Sequence, residues 1–180
     1  MRRAVFLDRD GVINRTVIRN GKPYPPATLA DLEILPGVPE ALKALRNAGF
    51  VNIVVTNQPD VATGLQRREV VDAMHALLRQ QLQIDEIKSC FHIESDGCEC
   101  RKPKTGMLTD AARELGLDLS RSFLIGDRWR DVSAGKAAGC FTFFIDYGYD
   151  EALRDEPDRI VTSLHEASRQ ILNQILHETI

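Results

Sequence analysis

The run FLDRDG sets Asp8 and Asp10 two residues apart behind an apolar stretch, and Gly11 lets the chain turn away tightly. Two neighbouring carboxylates cannot both ionise freely, so one pKa rises unless a cation compensates. Three later stretches supply partners. VVTNQ offers the Thr56 hydroxyl and backbone N–H groups, RKP offers Arg101 and Lys102, and LIGDRWRD offers another carboxylate at Asp127. Asp8 and Asp127 could together hold a hard divalent cation such as Mg2+ through oxygen ligands. Taken singly, Asp-x-Asp-Gly is as well explained by a solvated turn, Lys102 by a surface charge and Thr56 by a strand-end hydroxyl. It is the set that points to chemistry on an anionic substrate.

A second constellation follows at Cys90. The chain has four cysteines, and three of them fall with His92 inside Cys90-x-His92-x5-Cys98-x-Cys100. Four soft ligands are what a closed structural Zn2+ site requires; buried thiols or a disulfide are the alternatives, the latter disfavoured in a reducing compartment. So short a loop has little apolar surface to bury, and metal binding on the order of 10 to 16 kcal/mol could supply its order. With no ligand position open, such a zinc cannot activate water. Cys100 is joined directly to Arg101 and Lys102, so fixing the loop fixes two cations. Cys140 stands apart and reads as a core thiol.

The elements that must position these groups alternate. Short β-branched or aromatic runs begin at Ala4, Asn52, Glu86, Ser122 and Phe141. Helical spacing joins Val38, Ala41, Leu42, Leu45 and Ala48; Val70, Met74, Leu77 and Leu78; and Met107, Leu108, Ala111, Ala112 and Leu115. Ser163 with Glu166 announces a last helix through Leu164, Ala167, Ile171 and Ile175. Strand alternating with helix implies an α/β fold, a Rossmann-like three-layer α/β/α sandwich on a mainly parallel sheet. Ligands of such sheets sit beyond the carboxyl ends of the strands, where Asp8 with Asp10, Thr56 with Asn57, and Asp127 would gather. The long connection from Asn14 to Leu35 would cover the mouth of that site.

With 180 residues, 43% of them hydrophobic, residues 1–180 are expected to form a single domain, the Cys/His loop at 90–100 being inserted before Lys102. A balance of 23 basic against 26 acidic residues, net charge -3, gives no support for nucleic-acid or membrane binding, so positive charge must be met locally. The apolar run near the N-terminus is cut at Asp8, and no stretch approaches the roughly 20 apolar residues that span a bilayer. A cytoplasmic location is the expectation.

The four stretches, in this order from Asp8 to Asp131, resemble the four motifs of the haloacid dehalogenase superfamily of phosphohydrolases. That resemblance implies an aspartyl-phosphate mechanism with Asp8 as nucleophile, Asp10 as general acid and then base, and Thr56 and Lys102 on the phosphoryl oxygens. It further implies Mg2+ held by the side chains of Asp8 and Asp127 and the carbonyl of Asp10. Asp131 is left between orienting Lys102, supporting the metal and capping the helix expected from about Val132. No stretch has room for a large cap domain, so the site should be comparatively open. The Cys/His loop followed by Arg-Lys-Pro is similar to the D,D-heptose 1,7-bisphosphate phosphatases and the related histidinol-phosphate phosphatases, which implies substrate recognition by Arg101, Asn57 and Gln58. Gly106-Met107 favours the heptose branch; Thr105, where a proline is usual, and Thr63, where arginine is frequent, depart from it. The expected activity is removal of the C7 phosphate of D-glycero-D-manno-heptose 1,7-bisphosphate, a phosphorylated sugar. Histidinol-phosphate hydrolysis and a silent zinc-stabilised binding module are the alternatives. The oligomeric state is not readable, though a monomer is compatible.

Overall fold

Each of the five apolar runs becomes a strand of one sheet. The computed structural model describes residues 1–178, with side chains to position 174, so Ile175 on the last apolar stripe lies outside the described side chains. In chain order the elements are β1 (Arg3–Leu7), a hairpin of β2 (Val17–Arg19) and β3 (Lys22–Tyr24), α1 (Val38–Asn47), β4 (Phe50–Asn57), α2 (Arg68–Gln81), β5 (Glu86–Cys90) and α3 (Gly106–Leu115). There follow β6 (Phe123–Gly126), α4 (Trp129–Ala138), β7 (Phe141–Ile145), β8 (Arg159–Val161) and α5 (Leu164–Glu178). Six strands form a sheet in the order β5-β4-β1-β6-β7-β8, and every pairing in it is parallel.

A parallel sheet is covered on both faces, so its central strands are apolar on both. Strand β1 shows the division. Val5 and Leu7 pack with Val38, Leu42 and Leu45 of α1 and with Leu164, Ala167 and Ile171 of α5. Ala4 and Phe6 point the other way, to Met107, Leu108 and Ala111 of α3 and Ala134 of α4. The expected three layers are thus present.

From β1 the chain builds outward through β4 and β5, then returns across β1 to β6, β7 and β8. This reversal opens a crevice at the carboxyl ends of β4, β1 and β6. Register aligns the three: Leu7 is level with Val54 and Ile125, and the Asp8 N–H donates to the Ile125 carbonyl at 3.0 Å.

Four local features differ from the sequence reading. The buried stripe of α2 runs through Val71, Met74, His75 and Leu78 rather than Val70 and Leu77, so a histidine takes an apolar position. Strand β5 stops at Cys90, short of His92. Helix α4 starts at Trp129, one turn before Val132. Inside the Asn14–Leu35 connection lies the β2–β3 hairpin, whose three-residue strands are too short to show alternation.

Candidate active site

Lys102 is the hub. Its ammonium is buried and donates to Asp8 Oδ1 at 2.9 Å, Asp131 Oδ1 at 2.6 Å and the Val55 carbonyl at 2.7 Å. An ammonium has three protons, and here each has an acceptor. Burial would push the Lys102 pKa down, but Asp131 and Asp8 outweigh it and hold the pKa above its ordinary range. The lysine is shared, so it offsets only part of the burial cost at Asp8, whose carboxyl is pushed up to about 7.

Asp131 does two of the things the sequence left open. Its Oδ1 orients Lys102, and its Oδ2 accepts from the Arg128 N–H at 3.0 Å, closing the first turn of α4 from the third helical position. Its approach depends on Gly126, where an added Cβ would lie 2.1 Å from the Asp131 Cβ.

Asp127 follows β6 and is buried. Its Oδ2 accepts from Tyr149 Oη at 3.0 Å, while Oδ1 has no partner. Burial, then the charges of Asp8 and Asp131, push its pKa well above the carboxylate range. Gly11, at φ +89°, makes room: a Cβ there would sit 2.0 Å from Asp127 Oδ2. Oxygens of Asp8, Asp127 and Asp131 lie within 4.8 Å of one another. An orphaned buried oxygen among like charges is a donor set that a divalent cation fits. Both Asp131 oxygens are engaged elsewhere, which leaves Asp8 and Asp127 as the side chains that could hold it.

Asp10 belongs to a separate net. Arg9 reaches it through Nε and Nη2, Asn14 Nδ2 donates to Oδ1 at 2.9 Å, and Gln58 Nε2 donates to Oδ2 at 2.8 Å. Gln58 also donates to Thr56 Oγ1 at 2.9 Å, tying Thr56 to Asp10. Arg9 is fully buried and its Nη1 lies 3.2 Å from His75 Nε2. A guanidinium can only donate, so that ring nitrogen accepts. Burial, then the charge of Arg9, lowers the His75 pKa to about 4.

The remaining site residues meet around the Lys102 backbone. Asn57 donates from Nδ2 to the Lys102 carbonyl at 3.0 Å and accepts the Lys102 N–H on Oδ1 at 3.1 Å. Arg101 donates to the His92 carbonyl at 3.2 Å and lines, with Asp8, Asp10, Asn57, Gln58 and Lys102, a cavity of about 240 Å³. Thr16, Pro23, Tyr24 and Pro25 form another wall, so the hairpin connection does cover the mouth. Arg128 and Arg130 face the same cavity.

In the Cys/His loop, Cys90 Sγ lies 3.6 Å from His92 Nδ1 and 3.7 Å from Cys98 Sγ; Cys100 Sγ lies 3.3 Å from His92 Nδ1 and 3.5 Å from Cys98 Sγ. Zinc bonds of about 2.3 Å to sulfur and 2.0 Å to nitrogen give tetrahedral edges of about 3.5 to 3.8 Å, close to these separations. The cluster could hold zinc.

Sequence reasoning passed over Arg9, Asn14 and Tyr149. Arg9 and Asn14 carried a signal, being four or fewer residues from Asp10. Tyr149 carried none, because only the fold brings the loop after β7 to Asp127.

A strand-end aspartate beside a buried lysine and a second carboxylate, at the switch point of a parallel sheet, makes a site suited to a phosphoryl group. Residues 14–139 match the model of the haloacid dehalogenase-like hydrolases. The chain is 39% identical to the D-glycero-beta-D-manno-heptose-1,7-bisphosphate 7-phosphatase of Rhodopseudomonas palustris, over 77% of this chain and 80% of that one. It is 36% identical to the D-glycero-alpha-D-manno-heptose-1,7-bisphosphate 7-phosphatase of Campylobacter jejuni, over 79% and 81%. Among solved structures, the D,D-heptose 1,7-bisphosphate phosphatase of B. bronchiseptica, complexed with magnesium and phosphate, superposes with a TM-score of 0.80 at 29% identity, covering 96% of this chain and 99% of that one. The chain belongs to the haloacid dehalogenase-like hydrolases. Within them it is a phosphoric monoester hydrolase, and phosphatases of this kind use Mg2+. No helix among the described residues is long and apolar enough to cross a membrane.

Proposed function

We propose that this hydrolase removes the C7 phosphate of D-glycero-D-manno-heptose 1,7-bisphosphate, within one domain into which the Cys/His loop is inserted before Lys102. The observation that carries the reading is Lys102, gripped between Asp8 and Asp131 and joined in sequence to that loop. The curated relatives support the substrate.

In the mechanism, a carboxylate oxygen of Asp8 attacks phosphorus and the ester P–O bond breaks on the opposite side. Asp10 gives its proton to the departing sugar oxygen. Water then attacks the aspartyl-phosphate, Asp10 takes the water proton, and the Asp8–phosphorus bond breaks to release inorganic phosphate. Thr56 and Lys102 orient the phosphoryl oxygens; preorganised donors of this kind are typically worth about 3 to 4 kcal/mol each. Asn57, Gln58 and Arg101 line the path of the sugar, Asn57 and Gln58 also bracing Lys102 and Asp10. Asp8, Asp127 and the Asp10 carbonyl would hold Mg2+, which when bound would supply positive charge to the phosphoryl group. Cys90, His92, Cys98 and Cys100 would hold Zn2+ in a structural role, with no ligand position open for chemistry.

Phosphate release from a panel of sugar phosphates and histidinol phosphate tests the assignment. The expected result is fastest turnover of the heptose bisphosphate with one phosphate released per molecule. Faster turnover of histidinol phosphate overturns the substrate, and a folded Asp8→Asn variant that retains activity overturns the nucleophile.

A further inference from the structure

Asp127 presents two unlike oxygens: Oδ2 is bonded to Tyr149 and Oδ1 is bare. A metal ligand is oriented by what its other atoms bond to, and loss of such a partner typically costs about 10- to 100-fold in metal affinity. The Tyr149 hydroxyl is itself held. Thr16 Oγ1 lies 3.3 Å from it. As a metal ligand Asp127 is ionised and can only accept, so in the loaded site the Tyr149 proton goes to Asp127 and the Thr16 hydroxyl donates to Tyr149. The result is a directed chain, Thr16 to Tyr149 to Asp127, whose first member lines the substrate cavity.

The loop that bears Tyr149 is anchored at several points. Tyr149 stacks on Tyr147 with ring centroids 5.5 Å apart, and the Tyr147 hydroxyl donates to the Gly11 carbonyl at 2.9 Å. Two residues on, Glu151 accepts from Arg128 Nε at 2.6 Å and from the Trp129 N–H at 3.1 Å. Asp158 then pairs with Lys136 at 2.6 Å. The tyrosine hydroxyl is therefore fixed relative to the start of α4 and the turn at Gly11 after β1, both of which adjoin Asp127. Such fixing is what a positioning group needs.

We infer that Tyr149 is the positioning residue of the metal site: it holds Oδ2 of Asp127 so that Oδ1 is presented to the ion, and Thr16 links this bond to the wall of the substrate cavity. The inference rests on Asp127 being a metal ligand, as proposed above. It extends the site to a loop beyond all four sequence motifs.

Mn2+ binding to the full chain without substrate, followed by the paramagnetic resonance of the free ion, tests it. Tyr149→Phe keeps the ring and its stacking and is expected to weaken Mn2+ by about tenfold or more. Tyr147→Phe, which removes one anchor of the loop but leaves the Tyr149 hydroxyl, its stacking partner and the Glu151 bonds in place, is expected to weaken Mn2+ less than Tyr149→Phe does. Asp127→Ala is expected to lose the site. Wild-type affinity in Tyr149→Phe overturns the inference, as does an equal loss in Tyr147→Phe. If Asp127→Ala binds Mn2+ like wild type, or wild type binds none, the metal assignment itself falls and takes the inference with it. Should Tyr149→Phe fail to fold, Thr16→Val decides: a measurable weakening of Mn2+ supports the chain, since one link of it is then missing, and unchanged affinity overturns it.

Discussion

Asn57 and Lys102 exchange two hydrogen bonds, the Asn57 amide giving one to the Lys102 carbonyl at 3.0 Å and taking one from the Lys102 N–H at 3.1 Å. The end of β4 is thereby bolted to the segment that leaves the Cys/His loop. Asn57 reaches both backbone groups of the residue whose side chain meets Asp8.

Asn57→Ala should therefore act mainly on kcat. Misplacing a catalytic group by about 1 Å costs on the order of a hundredfold, and a fall of about that size, with KM little changed, is the expected outcome. Steady-state kinetics on the heptose bisphosphate check it. A raised KM with unaltered kcat would instead make Asn57 a direct contact to the sugar.

The Cys/His loop should contain one zinc per chain, and Cys98→Ser should lose it. Arg101 and Lys102 would then lose their fixed approach, so kcat/KM should drop even at saturating Mg2+, and the unfolding temperature should drop as well. Metal content by atomic emission and thermal unfolding are the measurements. Full activity in a zinc-free protein would separate the loop from Lys102.

Gly126→Ala should be harmful although alanine is a modest change. The new methyl meets Asp131 Cβ at 2.1 Å, and Asp131 cannot retreat without releasing Lys102. Overpacking costs about 1–3 kcal/mol, and each kcal/mol lowers Tm by about 2–4 °C in a chain of this size. Calorimetry and phosphate release should show both losses together.

His75 gives stability a pH dependence with a definite sign. Its folded pKa is lowered from 6.5 to about 4 by burial and by the charge of Arg9. Between those values the unfolded chain holds a proton that the folded one refuses, so the contribution is complete above pH 6.5 and lost as pH falls towards 4. The expected loss from this group is roughly 3 kcal/mol. Urea unfolding at several pH values checks it: His75→Gln, which keeps an acceptor for Arg9, should show a flatter profile than wild type.

The strands and their carboxyl-end residues were legible because a parallel sheet buried on both faces demands continuous apolar runs, and those runs end abruptly at Asp8, Thr56 with Asn57, and Asp127. The Cys/His spacing was legible for a similar reason: soft ligands in a short loop have few other uses. Periodicity misjudged α2, counting Val70 where the buried face holds Val71 and His75, because a histidine bonded to a buried arginine looks polar in a sequence. The start of α4 was placed late because Asp131 was weighed as the residue before the helix, whereas it closes the turn from within. Tyr149 was invisible: twenty-two residues separate it from Asp127, and only the return of the chain through β7 brings them together.

All three protons of Lys102 are engaged in the resting site, one of them by Asp8. In the proposed mechanism, a phosphate ester gripped by Lys102 competes with Asp8 for one of these protons, and a carboxylate that yields its place is freed for attack. On that reading Asp8 is a built-in rival to the product at Lys102, and its return once the phosphate is cut loose favours letting go.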